Sequence, residues 1–348
     1  MKSNNKLYLI GGIHLNHKPT CGETMKNQLF LKRFGELFEK VVPIDTYEWQ
    51  KHPWCLAQIL NALLFHPKAK FIISASGASR YLINFVYKTR LKRDVYFWAV
   101  GGDLPSAVRK GKYNVDALNN LVYLPVQGHS MVKELNELGV KNAVYVPNSK
   151  PITYHPNLTP HPQNAPYRFI FLSRIHPEKG IKKILQASDM LDTMGFKDRY
   201  FVDFYGKKDP DYSAEFDSIV NQKPYLNYKG YLDLTTDDGY GVMSSYDVML
   251  FPTYWHGEGF PGVVLDANIA GLPIIATDWN LNKEVIDEDK TGVIIPVNDA
   301  AALADAMRRF MDGSLDLYQM RQDCVDHVQQ YDFRNVLSEG LMKRLKLC

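Results

Sequence analysis

Two hydrophobic periods alternate along this chain. Short runs of β-branched and aromatic residues at 6–11, 41–47, 71–74, 95–100, 121–125 and 143–147 predict strands. Between them, stretches with apolar residues at helical spacing (23–39, 56–65, 78–93 and 130–138) predict helices. The second half repeats the pattern, with strands expected at 169–173, 200–205, 248–251, 273–276 and 292–296 and helices near 179–194, 262–270 and 300–311. Strands that alternate with helices pair in parallel through right-handed crossovers, so the expected fold is α/β, with two Rossmann-like doubly wound domains in tandem. The interval 147–166 holds six prolines and little periodicity, as expected of a linker. It divides the chain into a first domain at 1–150 and a second at 151–333, with a final helix over about 334–348 expected to pack back on the first. Ligands of open α/β sheets sit outside the carboxyl ends of the strands, so two such domains are expected to face each other across a cleft, with the chemistry on loops that follow strands.

One such loop stands out. After the strand at 248–251 come Pro252, Thr253, Tyr254, Trp255, His256, Gly257, Glu258, Gly259, Phe260, Pro261 and Gly262, then a helical run and Gly271. Gly259 and Gly262 permit close backbone approach, and amides at a helix start are aimed at an anion or at sugar hydroxyls. Glu258 before the turn and Asp266 on the helix can each accept several hydrogen bonds. Alone, such a turn is ordinary α/β punctuation. A second loop raises its meaning: the strand at 169–173 ends in Arg174, followed by Pro177, Glu178, Lys179 and Gly180 before a helix. A guanidinium offers a rigid fork of donors and an ammonium a mobile point charge, a pair suited to a diphosphate.

These two loops together resemble retaining glycosyltransferases of family 4, which have the GT-B architecture of two Rossmann-like domains. The resemblance implies that Arg174 and Lys179 grip the donor phosphates, and that Glu258, Gly259, Phe260, Pro261 and Gly262 hold the sugar and diphosphate. Where the family has a second Glu that takes the ribose hydroxyls, this chain has Asp266, one methylene shorter. Tyr205-Gly206, Gly230-Tyr231, Asp247-Val248, Glu284 with Thr291-Gly292-Val293, Val146-Pro147-Asn148 and Tyr331-Asp332-Phe333 match in order. The likeness is strong over 167–296 and weak over 1–120, as expected of a first domain that binds varying acceptors. Gly206, Tyr231 and Leu232 are expected to border the donor, and Gly11 and Gly12, which end the first strand, to approach its phosphate.

A retaining transfer needs no protein nucleophile when the acceptor oxygen attacks from the face the diphosphate leaves and the leaving phosphate takes the proton. Arg174 and Lys179 then stabilise the growing charge. In the double-displacement alternative a carboxylate lies against the anomeric carbon. Asp103, after Gly101 and Gly102, is the candidate, with a helix N-cap before Pro105 as its competing role. Neither scheme requires a metal. Asp209-Pro210-Asp211 spells the Asp-x-Asp of metal-dependent transferases but suits a turn.

Composition narrows the classes. Of the 348 residues 45% are hydrophobic and 23% charged, with no apolar run long enough to cross a bilayer and no signal-peptide core, so a cytoplasmic globular protein is expected. Four cysteines without metal-ligand spacing fit a reducing compartment. The net charge of +3 divides unevenly: residues 1–150 carry 21 Lys and Arg against 10 Asp and Glu, and the rest carry 20 against 28. Part of the excess is ordered, since Tyr81, Leu82, Phe85 and Val86 share a predicted helix with Lys88, Arg90, Lys92 and Arg93. Such a helix either turns a stripe to the core with a solvated basic end, or lies on an anionic membrane at its inner face, or guides a lipid-diphosphate acceptor. Nucleic acid is not an expected partner, as no aromatic platform accompanies the charge.

The expected reaction is hexose transfer from a nucleotide-sugar co-substrate, UDP- or GDP-linked, to a glycan or lipid-linked acceptor in surface polysaccharide biosynthesis, with no other cofactor. Two alternatives stay open: a nucleotide-sugar 2-epimerase of the same fold, and a nucleotide-sugar-binding module without activity. A dehydrogenase is disfavoured because neither domain opens with Gly-x-Gly-x-x-Gly.

Overall fold

A computed structural model describes residues 2–19, 21–75 and 79–348. The chain divides into one unit of Met1–Pro151 with Tyr331–Cys348 and another of Ile152–Gln330.

In the first unit the strands are β1 (Ser3–Gly11), β2 (Phe38–Asp45), β3 (Lys70–Ser74), β4 (Asp94–Phe97), β5 (Leu124–Val126) and β6 (Ala143–Tyr145). β1 to β4 form a parallel sheet in the order β2-β1-β3-β4. The parallel pair β5-β6 continues it, with Phe97 N–H donating to Tyr123 O at 3.3 Å and Ala99 N–H to Pro125 O at 3.0 Å. The order reverses between β1 and β3. Both faces are covered, which is why the middle of β3 is an unbroken apolar run with Phe71, Ile72 and Ile73 almost wholly buried.

Several expected boundaries shift for local reasons. The helix expected at 23–39 spans Gly22–Leu37, because Phe38 turns extended and pairs with Ser3 as the first residue of β2. The helix expected at 78–93 runs Ser79–Thr89: Ala78 lies outside the described residues, and Arg90 ends the helix with a left-handed φ of 53°. Its face also divides. Ile83 and Val86 are buried, whereas Tyr81 and Phe85 are 66% and 39% exposed, so the stripe does not turn wholly to the core. The single helix expected at the end is two, Phe333–Val336 and Glu339–Arg344, because Leu337 leaves helical geometry and Ser338 caps a new start by accepting from Leu341 N–H at 3.3 Å. Leu337, Leu341, Met342, Leu345 and Leu347 from this segment share one core with Leu7, Phe34 and Trp98.

The second unit holds β7 (Tyr167–Leu172), β8 (Tyr200–Tyr205), β9 (Leu226–Gly230), β10 (Val248–Phe251), β11 (Ile274–Thr277) and β12 (Gly292–Ile295). They form one parallel sheet in the order β12-β11-β10-β7-β8-β9, which reverses between β7 and β10. Phe169, Phe171, Val202, Phe204 and Leu250 pack one core with the helices Ile181–Thr193 and Ala300–Met311. The helix Gly262–Ile269 is buried from Val264 onward, as expected of an apolar segment inside a larger core. The proline-rich interval is fastened to this unit. His161 bonds Asp247 at 3.0 Å and stacks on Tyr167 with ring centroids 4.0 Å apart, and Tyr154 stacks on Tyr240.

Among the described residues no helix is long and apolar enough to cross a membrane.

Candidate functional site

In an open α/β sheet, the strands that flank the reversal of order splay their following loops apart and leave a crevice. In the second unit these strands are β7 and β10, and their loops carry the residues singled out above. After β7, Arg174 is exposed, and Pro177–Lys179 forms a single 3-10 turn with His176 as its cap. Gly180 closes the turn with a left-handed φ of 81°. A Cβ there would lie 2.1 Å from Pro252 O, so only glycine lets this loop meet the one after β10. Tyr254 N–H donates to Glu178 O at 2.8 Å and joins the two loops through their backbones.

Lys179 and Glu258 meet across this junction. The Lys179 ammonium donates to Glu258 Oε2, and the two side chains are 9% and 15% exposed. Thr253 Oγ1 donates to the same carboxylate oxygen at 3.3 Å, and Asn280 Nδ2 donates to the Glu258 carbonyl at 2.7 Å. Trp255 organises the cations. The Arg174 guanidinium lies 5.4 Å and the Lys179 ammonium 5.8 Å from its ring, within the range of cation–π attraction. His176 meets the ring edge-on at 4.8 Å, and Trp279 Nε1 donates to Trp255 O at 2.8 Å. Gly257 is required beneath it, since a Cβ would fall 2.6 Å from Trp255 Nε1.

From Glu258 the chain passes through buried Gly259, Phe260 and Pro261 to the helix start at Gly262, where no side chain caps the N-terminus. These residues therefore follow the Lys179–Glu258 pair directly, and the amides of a helix start come next in the chain. Asp266 lies on the second turn of that helix. It is 4% exposed and accepts from the Tyr240 hydroxyl at 2.6 Å. Burial first, and the nearby Asp266 carboxylate second, push the Tyr240 hydroxyl far above its ordinary range. Gly206 follows β8 with φ 141°, and a Cβ there would lie 1.8 Å from Ser173 O, so it sets how closely the end of β8 approaches the turn before Arg174. Its N–H donates to Gly230 O at 2.8 Å, next to Tyr231, which is 75% exposed, and partly exposed Leu232.

The expected first-unit residues occupy the same kind of place. Gly11 ends β1 beside β3, where a Cβ would fall 2.1 Å from Ser74 O. Gly12 N–H donates to Glu23 Oε1 at 3.2 Å, and buried Asn27 donates to Gly12 O and Ser74 O at 3.0 and 2.8 Å. Lys26, on the same helix, is buried and donates to Ala99 O at 3.0 Å, and desolvation lowers its pKa to about 7 against an opposing pull from Glu23. Asp103 is exposed at the N-cap position of Leu104–Arg109, yet its side chain makes no cap bond. Asp209 caps the 3-10 turn Pro210–Tyr212 by accepting from Asp211 N–H at 3.2 Å, so the Asp-x-Asp spelling here is a turn. Among the described residues no three His, Cys, Asp or Glu side chains group as a metal site would.

Thr253, Trp255, Asn280 and Tyr240 were not singled out from the sequence. Trp255 carried a readable signal, an aromatic inside a glycine-rich turn next to a cationic loop. Asn280 and Tyr240 carried none, because they arrive from distant segments.

A parallel six-stranded sheet whose switch-point loops gather an arginine, a lysine and a glutamate defines a Rossmann-like α/β unit, and comparison sharpens that class. Residues 160–330 match the family model of the glycosyl transferases group 1. The amylovoran biosynthesis glycosyltransferase AmsK of Erwinia amylovora is 26% identical over 166 residues, 44% of this chain and 38% of that protein. The phosphatidyl-myo-inositol mannosyltransferase of Mycobacterium leprae is 27% identical over 214 residues, 59% of this chain and 54% of that protein. The chain thus spans about two fifths to one half of these relatives. A crystal structure of Anabaena HepE in complex with UDP superposes with a TM-score of 0.74 at 12% identity, covering 99% of this chain and 100% of that one. The fold is GT-B.

Proposed function

We propose that this chain is a metal-independent retaining glycosyltransferase of family 4. It moves a hexose-type sugar from a UDP- or GDP-linked donor to a glycan or lipid-linked acceptor in surface polysaccharide biosynthesis. The observation that carries the reading is the Lys179–Glu258 pair, which joins the loops after β7 and β10 with Arg174 and Trp255 beside it. The donor diphosphate meets Arg174 and Lys179, whose charges offset the negative charge that grows as the glycosyl bond breaks. Glu258 serves first to aim Lys179 and then to accept from sugar hydroxyls. The helix-start amides at Gly262 complete the anion site. The relatives named above, whose names describe polysaccharide and glycolipid synthesis, support the substrate class. The basic first unit supports a peripheral position at an anionic membrane on the cytoplasmic side.

Thermal-shift screening against a panel of nucleotide-sugars tests the reading, because a ligand at 100 times its dissociation constant stabilises by about 2.7 kcal/mol. A UDP- or GDP-sugar raises the melting temperature of the parent, and Glu258→Ala abolishes that rise. If no nucleotide-sugar shifts either protein, the donor-site assignment fails.

A further inference from the structure

We infer that a pocket within the first unit holds the hydrocarbon chain of a lipid-linked acceptor. The role of that lipid as acceptor rests on the transferase reading above, whereas the pocket's preference for a hydrocarbon does not. The cavity measures about 970 Å³, at the upper end of the roughly 300–1,000 Å³ usual for ligand sites. Most of its exposed wall is apolar, from Ile10, Leu56, Ile59, Leu60, Leu63 and Ile73 with aromatic edges from Trp49, Tyr81 and Phe85, and Thr24, Thr46, Tyr47 and Ser79 make up a minor polar part. A sugar site needs many hydrogen-bonding groups for its hydroxyls, and these walls offer few, so the chemistry they recognise is a chain of methylenes.

The flanking helices point the same way. On Trp54–Phe65, Leu56, Leu60 and Leu64 recur every fourth residue and are 51%, 44% and 45% exposed. Tyr81 and Phe85 form a matching ridge on Ser79–Thr89. Two apolar ridges left to water on either side of a cavity mark a binding surface.

Charge then selects among apolar occupants. Arg80 stands in the wall, its guanidinium donating to the Tyr81 hydroxyl at 2.7 Å, while its buried Nε–H has no hydrogen-bond partner. An orphaned guanidinium N–H beside a hydrocarbon channel is complementary to a phosphate joined to a chain. Of the carboxylates that also line the cavity, Glu48 pairs with Lys51 at 3.0 Å, and Glu23 accepts from Gly12 N–H at 3.2 Å. The cavity reaches Gly12 and Ala75, at the carboxyl ends of β1 and β3 where this sheet reverses order. A chain seated between the ridges therefore delivers its head to the edge of the sheet at which α/β folds bind ligands.

Calorimetric titration with farnesyl diphosphate and isopentenyl diphosphate, both below micellar concentration, tests the assignment. Each fully buried methylene strengthens binding about fourfold, so the longer chain binds at least about 100-fold tighter. Leu60→Asp and Leu56→Asp, at positions already half in water, each weaken the long chain about tenfold or more and leave the short one unchanged. Arg80→Gln weakens both. Titration with UDP and GDP on the same proteins reads the second unit separately: loss of nucleotide binding with chain-length dependence retained would sink the transferase reading and leave the pocket standing. Equal affinity for the two diphosphates overturns the proposal, as does chain-length dependence that neither Leu variant alters. A parent dimer that Leu60→Asp converts to monomer with unchanged farnesyl affinity also overturns it, in favour of a second copy on this face. Binding to anionic vesicles with none to the monomeric amphiphile overturns it in favour of a bilayer.

Discussion

The Lys179 ammonium and the Glu258 carboxylate are bonded to each other across the two strands between which the second sheet reverses its order. Each charge is largely withdrawn from water, and each is the other's principal compensation. That arrangement couples the stability of the unit to the chemistry of its loops.

Removing one partner leaves the other charge uncompensated. Glu258→Ala and Lys179→Met are each expected to cost about 3 kcal/mol in denaturant unfolding. The double variant with Glu258→Leu recovers much of that loss without recovering transfer. Strictly additive single effects would show that the two groups are not coupled.

Arg174 separates the two roles. It is exposed, with its guanidinium 5.4 Å from the Trp255 ring, so Arg174→Lys should leave the unfolding midpoint unchanged. Transfer should fall by about 10²–10³ if the guanidinium fork meets developing charge, with the loss in kcat rather than KM. An unaltered kcat would move the phosphate-gripping role elsewhere.

At position 266, the longer acid that the family resemblance calls for should harm rather than help. Asp266 is buried and already bonded to Tyr240, so the extra methylene of Asp266→Glu has to displace packed atoms, at a cost of about 1–3 kcal/mol. Tyr240→Phe, which removes one donor to a buried carboxylate, should cost about 1–2 kcal/mol. A more stable Asp266→Glu protein with tighter nucleotide binding would contradict this.

Lys26 predicts a pH dependence. The unfolded chain keeps this proton up to about 10.4. The folded one gives it up near 7 because burial disfavours the charge. Between those values the unfolded state binds more protons, so this group makes stability rise with pH. Lys26→Met removes the buried charge. Its melting temperature should exceed the parent's by the widest margin at and below pH 7, and the margin should narrow from pH 7 toward 10.5. A gap independent of pH would mean that Lys26 keeps its proton equally in the folded and unfolded chain, with no shift on burial.

The sheets were legible because their strands are apolar on both faces and their helices on one, so the two periods separate cleanly; β8 and β10 fall where the pattern puts them. Phe38 shows where pattern stops. Its identity suits a helix or a strand equally, and only pairing with Ser3 decides. Lys179, Glu258 and Gly180 were readable because loop chemistry after a strand is local. Asp266 could not be read in the same way, since its hydroxyl partner comes from another helix. Nor could the orientation of Tyr81 and Phe85 be read, because a helix with apolar residues on two sides does not say which side meets the core.

The returning segment at 331–348 bears on the order in which the units are made. Lys150 N–H donates to Tyr331 O and Phe333 N–H to Lys150 O, at 3.1 and 3.0 Å. Beyond this clasp, Leu341, Met342 and Leu345 fill the core begun by Leu7 and Leu9. A ribosome releases the residues of that core on either side of the second unit, at separate times. The second unit, encoded as one continuous stretch, has all of its strands before those closing leucines appear. The first unit, begun before the second, is therefore completed after it, and until then β1 to β6 need shelter from aggregation.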